Sequence, residues 1–146
     1  MTQAQWIESM ESLSEFSPGF LNDVIHLLES LGYEIAESDY WLLGFCVQKV
    51  EQEIKNACNT LSIPEGLYQV AKGLIVAEFL SMKKANGEIN GDSLIFEPML
   101  KEIQEGDTRQ TFAVDKTTSA EQRLDSFIAR MMQGKKEFIR YRKIQW

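Results

Sequence analysis

The sequence is poor in the residues that usually carry catalysis or bind metal ions. It has one histidine, His26, and two cysteines, Cys46 and Cys58, whose spacing matches no metal-ligand motif. Neither of the glycine-rich patterns that cradle phosphate groups, G-x-G-x-x-G and G-x-x-x-x-G-K-[ST], is present. Acidic residues are numerous but scattered, and sequence alone does not pair them as a general acid and base. We therefore predict no catalytic residue, no cofactor and no metal, and expect a scaffold or interaction protein rather than an enzyme.

Long hydrophobic runs are missing as well. No run of about 18 apolar residues occurs, so no membrane-spanning helix is predicted. The stretch MTQAQWIESMESLSE has neither a basic start nor an apolar block and does not resemble a signal peptide. The two cysteines fall in a predicted helix, and we expect them to be reduced residues in or near the core of a cytosolic protein. With 146 residues, 44% of them hydrophobic, the chain is expected to form one soluble domain.

Basic residues are absent from the first 40 positions, which carry eight acidic residues. Residues 123–146, in contrast, carry seven basic and two acidic residues. The net charge of −7 is therefore divided into −12 over residues 1–122 and +5 over the C-terminal end. Such a chain can attract copies of itself head to tail, or dock one end on an acidic partner. The alternative is a solvated acidic surface with an unrelated basic end.

Capping residues and breakers divide the first part of the chain into helices. The first is predicted from Ser17, as N-cap before a proline, to a stop at Gly32. A second is predicted after Ser38 and ends at about Asn59. Its expected apolar face consists of Trp41, Leu42, Phe45, Cys46, Val50, Ile54 and Ala57.

The most apolar helix is predicted to start near Pro64 and to close at Gly87. Apolar residues cover more than one of its faces, so we expect it to be the central buried helix. Gly73 within it would cost about 1 kcal/mol relative to alanine, and it would permit a close helix crossing.

The last third of the chain is less regular. A short helix is predicted from about Ser93 to Gln104, and residues 106–115 favour an extended arm or hairpin. Ser119 opens the last helix with a Ser-x-x-Gln capping box. The prediction is thus a single, mainly α domain over residues 1–146, a small bundle of four to five helices. Within it, residues 1–16 are assigned as flexible, 106–118 as an arm or loop, and 135–146 as a basic aromatic tail.

The tail KKEFIRYRKIQW interleaves basic and aromatic residues, as a protein that binds single-stranded nucleic acid would. The acidic balance of the whole chain argues against that function. The other interpretation is that the apolar residues from Phe138 to Trp146 pack against the core or a partner while arginine and lysine stay hydrated.

Three stretches occur in a distinctive order. IPEGLYQVAKGLIVAEFL opens a helix, KEIQEGDTRQTFAV holds a Glu-Gly-Asp-Thr turn and an extended arm, and SAEQRLDSFIARMMQGKKEFIRYRKIQW ends in Tyr-Arg-x-x-x-Trp. In this order they resemble the head–tail connector (head-completion adaptor) family of tailed bacteriophages, as found in phages and prophages of Firmicutes. The resemblance extends from about Trp41 to Trp146. Its motifs are short and not catalytic, so the resemblance depends on the order of the motifs and on the Tyr-Arg-x-x-x-Trp ending.

The resemblance implies a structural virion component that is assembled in the cytoplasm of the bacterial host. Its small helical subunit would form a ring, of about twelve copies in family members, beneath the portal protein. The ring would extend the channel through which double-stranded DNA passes without sequence-specific binding, and would offer a platform to the next head–tail joining protein. A helical regulatory module that binds a partner protein or nucleic acid through its basic tail is the alternative.

Residues for these contacts can be named, because aromatic and arginine side chains often anchor interfaces. The tail is expected to leave the body of the subunit and to dock on a neighbour or on the portal protein. The acidic N-terminal part could attract that basic end from an adjacent subunit and so close a ring. The predicted partner-binding residues are Phe138, Arg140, Tyr141, Arg142, Lys143 and Trp146, and the predicted subunit-contact arm contains Arg109, Thr111, Phe112 and Val114.

Overall fold

The protein is a small bundle of α-helices in the computed structural model, which describes residues 2–89 and 119–144. No strand occurs within these two ranges, and the predicted mainly α bundle is confirmed. A 3₁₀ turn, Glu65–Leu67, leads into the fourth helix, and a nine-residue 3₁₀ segment, Gln133–Tyr141, follows the fifth. The helices are α1 (Gln3–Met10), α2 (Pro18–Ser30), α3 (Asp39–Cys58), α4 (Tyr68–Ala85) and α5 (Ala120–Met132).

Helices α2 and α5 begin where their capping residues predict. The Ser17 hydroxyl accepts a hydrogen bond from the backbone N–H of Phe20 at 3.1 Å, which satisfies one of the free donors of α2. At α5 the Ser119 hydroxyl accepts from the backbone N–H of Gln122, and the side chain of Gln122 accepts from the backbone N–H of Ser119. This reciprocal pair is the predicted capping box.

Helices α2 and α3 end in the left-handed backbone conformation that closes a helix. Gly32 has a φ of 87°, and Tyr33 beyond it donates its backbone N–H to the carbonyl of Leu28. Asn59 takes the same role after α3, with a φ of 55°. Asparagine tolerates this region better than most residues that carry a Cβ atom, so both predicted ends are confirmed.

Helix α4 is the centre of the bundle, as predicted. All its residues from Gly73 to Leu80 are buried, and it packs against α2, α3 and α5. Gly73 permits a close approach of α5, because a Cβ atom added there would lie 2.8 Å from the Met131 sulfur. Both cysteines are free and buried, as expected, and burial raises the pKa of the Cys46 thiol to about 12.

A buried ion pair joins the start of α3 to the end of α4. Asp39 lies 2.6 Å from Lys83 Nζ, and it also accepts hydrogen bonds from the Tyr33 hydroxyl and the backbone N–H of Ala36. Burial acts to raise the pKa of the Asp39 carboxyl, but the hydrogen bonds from Lys83, Ala36 and Tyr33 outweigh it and lower the pKa. The network fixes the register of the two helices around the N-terminus of α3.

Helix α3 buries a face that only partly overlaps the predicted one. Trp41 is 78% exposed and Phe45 is 44% exposed, whereas Leu43 and Val47 are fully buried. Cys46, Val50 and Ile54 were assigned correctly and Leu42 is partly buried against the core, but Ala57 is exposed. Both sets of residues have helical spacing, and the packing of α3 on α4 selects the set that contains Leu43.

Helix α1 lies within the segment assigned as flexible, and the sequence analysis did not predict it. A capping box at Thr2 begins it, and Trp6 and Met10 attach it to the core. The predicted helix from about Ser93 to Gln104 and the predicted arm over 106–118 lie outside the described residues.

Candidate interaction surfaces

An apolar groove lies between α1 and the first half of α3. We call it the Trp41 groove; its cavity volume is about 370 Å³. The chain supplies its lining from two segments that are far apart in sequence. These residues are Trp6, Ser9, Met10 and Leu13 from α1 and the turn after it, and Glu37, Tyr40, Trp41, Gly44, Phe45 and Gln48 from α3 and the turn before it.

Large apolar side chains in the wall of this groove are open to solvent. Trp41 and Phe45 lie one helical turn apart, and their rings stack with centroids 6.0 Å apart and an interplanar angle of 11°. Leu13, on the opposite side, is 54% exposed. Full burial of one such side chain is worth about 1.5–3 kcal/mol. A clustered apolar surface of this kind is typical of a protein interaction site.

The floor of the groove holds a buried hydrogen-bond donor. Trp6 is almost fully buried against Tyr40, and its indole Nε1 has no acceptor among the described residues. Gly44 allows this position, because a Cβ atom added there would lie only 3.3 Å from Nε1. An unpaired buried N–H costs about 1–3 kcal/mol, and because Nε1 is itself buried, a molecule in the groove does not reach it.

The C-terminal segment, which we define as residues 133–144, is fastened to the opposite end of α3. Lys143 donates its backbone N–H to the carbonyl of Cys58 at 2.7 Å, and Asn59 Nδ2 donates to the carbonyl of Lys143 at 3.1 Å. The Cys58 thiol donates to the carbonyl of Phe138 at 3.4 Å. Three bonds from a single helix end thus fix the path of the segment.

Two of the predicted partner-binding residues instead attach the segment to its own chain. Phe138 is 7% exposed and belongs to the core. Tyr141 is half-buried over Gly66, where an added Cβ atom would collide with the phenol ring. The expectation that the tail leaves the body from Phe138 onward therefore needs correction, because residues 133–141 pack on α3, α4 and α5 and Phe138 joins the buried core.

The remaining predicted residues of the segment point to solvent. Arg140, Arg142 and Lys143 are all exposed, and they are accompanied by Ile139 and Ile144, which are 76% and 75% exposed. Arg140 pairs with Glu137 at 3.3 Å, whereas Arg142 and Lys143 make no ion pair with another described residue. The segment therefore presents an exposed surface that is both basic and apolar.

The acidic residues of the N-terminal part fall into two groups. Glu15, Asp23 and Asp39 are paired with lysines of α3 and α4. Glu8, Glu11, Glu29 and Glu34 are exposed and make no ion pair with another described residue. Glu8 and Glu11 are adjacent in sequence to Ser9 and Met10, but they lie on the side of the helix that faces away from the Trp41 groove. Glu37 is the acidic residue of the groove lining.

The two surfaces are separated by most of the length of α3. Gly44 lies in the groove and Cys58 holds the C-terminal segment. Fourteen residues of helix at 1.5 Å per residue place them about 21 Å apart. The chain thus carries an apolar groove at one end of α3 and a basic, partly apolar segment at the other.

Five of the predicted contact residues lie beyond the two ranges that the structure describes. Trp146 and the predicted contact arm, Arg109, Thr111, Phe112 and Val114, lie outside the described residues. Within the described ranges, no group of three or more His, Cys, Asp or Glu side chains is placed to hold a metal ion. No described helix is both long enough and apolar enough to cross a bilayer.

The Trp41 groove was missed by sequence reasoning, although a signal for it exists. The stripe that begins with Trp41 and Phe45 continues through Gln48, Gln52 and Asn56, which are polar. A face whose later turns are polar is expected to be solvent-exposed, so its two aromatic residues were candidates for a partner contact. Comparison of the chain with protein-family models, with curated proteins and with solved structures gave no match.

Proposed function

We propose that this chain is a structural subunit of the connector between the head and the tail of a tailed bacteriophage. Copies of it form a ring that docks beneath the portal protein, extends the DNA channel and receives the next head–tail joining protein. The ring is part of the virion and is assembled in the cytoplasm of the bacterial host. Double-stranded DNA passes through it without sequence-specific recognition.

The observation that carries this proposal is the pair of unlike surfaces at the two ends of α3. A subunit of a ring needs two different contact surfaces, because each copy must bind one neighbour on each side. The Trp41 groove and the C-terminal segment are such a pair, and both expose large apolar side chains. The order of motifs from Trp41 to Trp146 supports the connector assignment within this class of assembly proteins.

The charge of the chain agrees with a channel component. A net charge of −7 disfavours stable contact between the protein and the phosphate backbone of DNA. Weak contact of this kind is what a DNA molecule needs in order to move through a channel. The exposed cations are concentrated near Arg140, Arg142 and Lys143, where they are available to acidic protein surfaces. We therefore assign these exposed basic residues to docking between proteins rather than to DNA.

Deletion of the gene in the phage or prophage that encodes the chain tests the proposal. Particles are counted by electron microscopy, and infectivity is measured as plaque titre. We expect DNA-filled heads and separate tails to accumulate, and the wild-type gene on a plasmid to restore joining. The variant Arg142→Glu with Lys143→Glu is expected not to restore it. Undiminished numbers of tailed, infectious particles after deletion would contradict the proposal.

A matched control separates a docking defect from a folding defect. Ala129 is exposed on α5 and belongs neither to the groove lining nor to the C-terminal segment, so Ala129→Glu adds negative charge outside both. We expect this variant to restore joining. Thermal unfolding of the purified variants, followed by circular dichroism, checks that each retains the helical bundle.

The second candidate function is a helical regulatory module that binds nucleic acid through the C-terminal segment. The unpaired cations Arg142 and Lys143 favour it. Filter binding of DNA and RNA over a salt series distinguishes the two candidates. A phosphate-binding segment gives tight binding that falls steeply with salt, whereas a connector subunit gives weak binding at all salt concentrations.

A further inference from the structure

We infer that the C-terminal segment, residues 133–144, is a strap that opens as one unit while the helical bundle stays folded. In the open state the Cys58 thiol, which the closed segment covers, becomes accessible. This inference goes beyond the proposed function, because it concerns a conformational step within one chain. It requires no phage head, portal protein or DNA.

The segment covers the last turn of α3, where Cys58 lies. The Cys58 side chain has no exposed area in the closed structure. Its thiol donates to the carbonyl of Phe138 at 3.4 Å, and its own carbonyl accepts the backbone N–H of Lys143 at 2.7 Å. Both groups are therefore bonded to the segment, and its departure opens them to water, which satisfies the free carbonyl at the helix end.

The backbone of the segment does little to hold the closed path. The nine residues Gln133–Tyr141 form a 3₁₀ helix directly after α5. Hydrogen bonds in a 3₁₀ helix have poorer geometry than those in an α-helix, and runs longer than about three or four residues are uncommon. Gly134 weakens the run further, because glycine loses more conformational freedom on folding than other residues. Contacts with the bundle must therefore keep the segment closed.

These contacts are few. Within residues 133–144, Phe138 alone is buried, and Tyr141 is half-buried over Gly66. Lys135 pairs with Glu53 at 3.4 Å, but both side chains are open to solvent, so screening leaves this pair a small contribution. The attachment thus depends mainly on one buried ring and on the bonds at Cys58 and Asn59.

The bundle keeps its own core when the segment leaves. All residues of α4 from Gly73 to Leu80 are buried, and α2, α3 and α5 pack on this helix. Opening of the segment therefore exposes little apolar surface, whereas global unfolding exposes the whole core. Elements with few buried contacts open locally at a free energy below that of global unfolding.

Opening also frees two aromatic side chains beside the exposed cations. Phe138 and Tyr141, which the sequence predicted as partner-binding residues, are engaged with their own chain in the closed state. In the open state they lie next to Arg140 and Arg142 without a core to cover them. The strap thus decides when the basic end presents aromatic residues, the side chains that most often anchor interfaces.

Thiol labelling of the full wild-type chain tests the inference. The protein reacts with N-ethylmaleimide at several low urea concentrations, and digestion followed by mass spectrometry gives the rate at each cysteine. Cys46 is the internal reference, because it is equally buried in α3, about 18 Å before Cys58 along the helix. We expect Cys58 to react at least about 100-fold faster than Cys46. Only the Cys46 rate should rise steeply with urea, since only global unfolding exposes a large surface.

Three variants identify the contact that controls labelling. Lys143→Pro removes the N–H that donates to Cys58, and the extended backbone of Arg142, with a φ of −69° and a ψ of 128°, accommodates a following proline. Lys143→Ala removes the same side chain but retains the N–H. We expect Lys143→Pro to accelerate labelling of Cys58 about fivefold relative to Lys143→Ala.

The third variant, Ile25→Val, weakens the core of the bundle in α2. It destabilises the closed and the open state equally, so it should accelerate labelling of Cys46 and leave that of Cys58 unchanged. Circular dichroism checks that each variant retains its helices.

The inference is overturned by any of three results. These are Cys58 labelling no faster than that of Cys46, equal rates in Lys143→Pro and Lys143→Ala, or equal acceleration of both cysteines by Ile25→Val. The first comparison uses wild-type protein and depends on no variant.

Discussion

Lys143 and Cys58 are joined by a backbone hydrogen bond of 2.7 Å, although 85 positions separate them in the sequence. This bond fixes the basic end of the chain to the C-terminus of α3. It determines which residues of the segment meet the core and which meet solvent. Phe138 lies on the inner side, whereas Ile139 lies on the outer side.

Neighbouring residues of the C-terminal segment are therefore expected to differ in their effect on stability. Phe138→Ala removes a buried ring and leaves a cavity, so it should lower the free energy of unfolding by about 3 kcal/mol. Ile139→Ala truncates an exposed side chain and should change it by less than about 0.5 kcal/mol. Urea unfolding followed by circular dichroism measures both. Equal effects would show that the segment is not packed as described.

The buried pair Asp39–Lys83 provides a second prediction. Asp39→Asn removes the buried one of the two carboxylates that pair with Lys83, while Glu88 remains, and should cost about 1.5–3 kcal/mol of unfolding free energy. Asp23→Asn breaks the ion pair with Lys72, in which the Asp23 side chain is largely exposed, so solvent screening should make its cost smaller than that of Asp39→Asn. The matched substitutions are compared by chemical unfolding at neutral pH. A larger loss for Asp23→Asn would be inconsistent with this network.

The lowered pKa of Asp39 gives a pH dependence with a definite sign. Its folded pKa lies below the ordinary value of 3.8, so the carboxylate contributes stability that is fully present above that value. The contribution is lost as the pH falls through the folded pKa. The difference in unfolding free energy between wild type and Asp39→Asn should be constant above about pH 5 and should shrink on acidification. If this difference in unfolding free energy stays constant down to pH 2, the ionised Asp39 carboxylate is not its cause.

Gly66 and Tyr141 should show strong coupling. An alanine Cβ at position 66 collides with the Tyr141 ring, so Gly66→Ala should cost about 1–3 kcal/mol. In a Tyr141→Ala background the collision is removed, and the same substitution should cost little. A double-mutant cycle of unfolding free energies measures the coupling. An additive cycle would mean that the ring does not rest on this glycine.

The predicted parts of the fold were those that local chemistry decides. Ser17, Ser119 and Asn59 act on backbone groups within a few residues, so the sequence predicted these helix boundaries. The central position of α4 was also predictable, because apolar residues on several faces leave no polar face for solvent. Helix α1 was missed, since its burial depends on Trp6 and Met10 meeting α3, which is distant in sequence.

The candidate surfaces were only partly predictable. The basic character of the C-terminal end follows from composition, and Arg140, Arg142 and Lys143 are exposed as expected. The fate of Phe138 was not predictable, because an aromatic residue in a tail can fill a gap in its own core or a pocket of a partner. The two cases are identical in sequence and differ only in whether the bundle leaves a gap.

The sequence by itself determined the helical class, most helix boundaries, and the opposite charges of the two ends, because these depend on composition and on contacts within a few residues. The tertiary structure alone decided which face of α3 is buried. Two overlapping stripes, one with Trp41 and one with Leu43, satisfy the same helical period. Only the packing of α4 and α1 against α3 selected Leu43 for the core, and that packing left Trp41 and Phe45 open to solvent in the wall of the Trp41 groove.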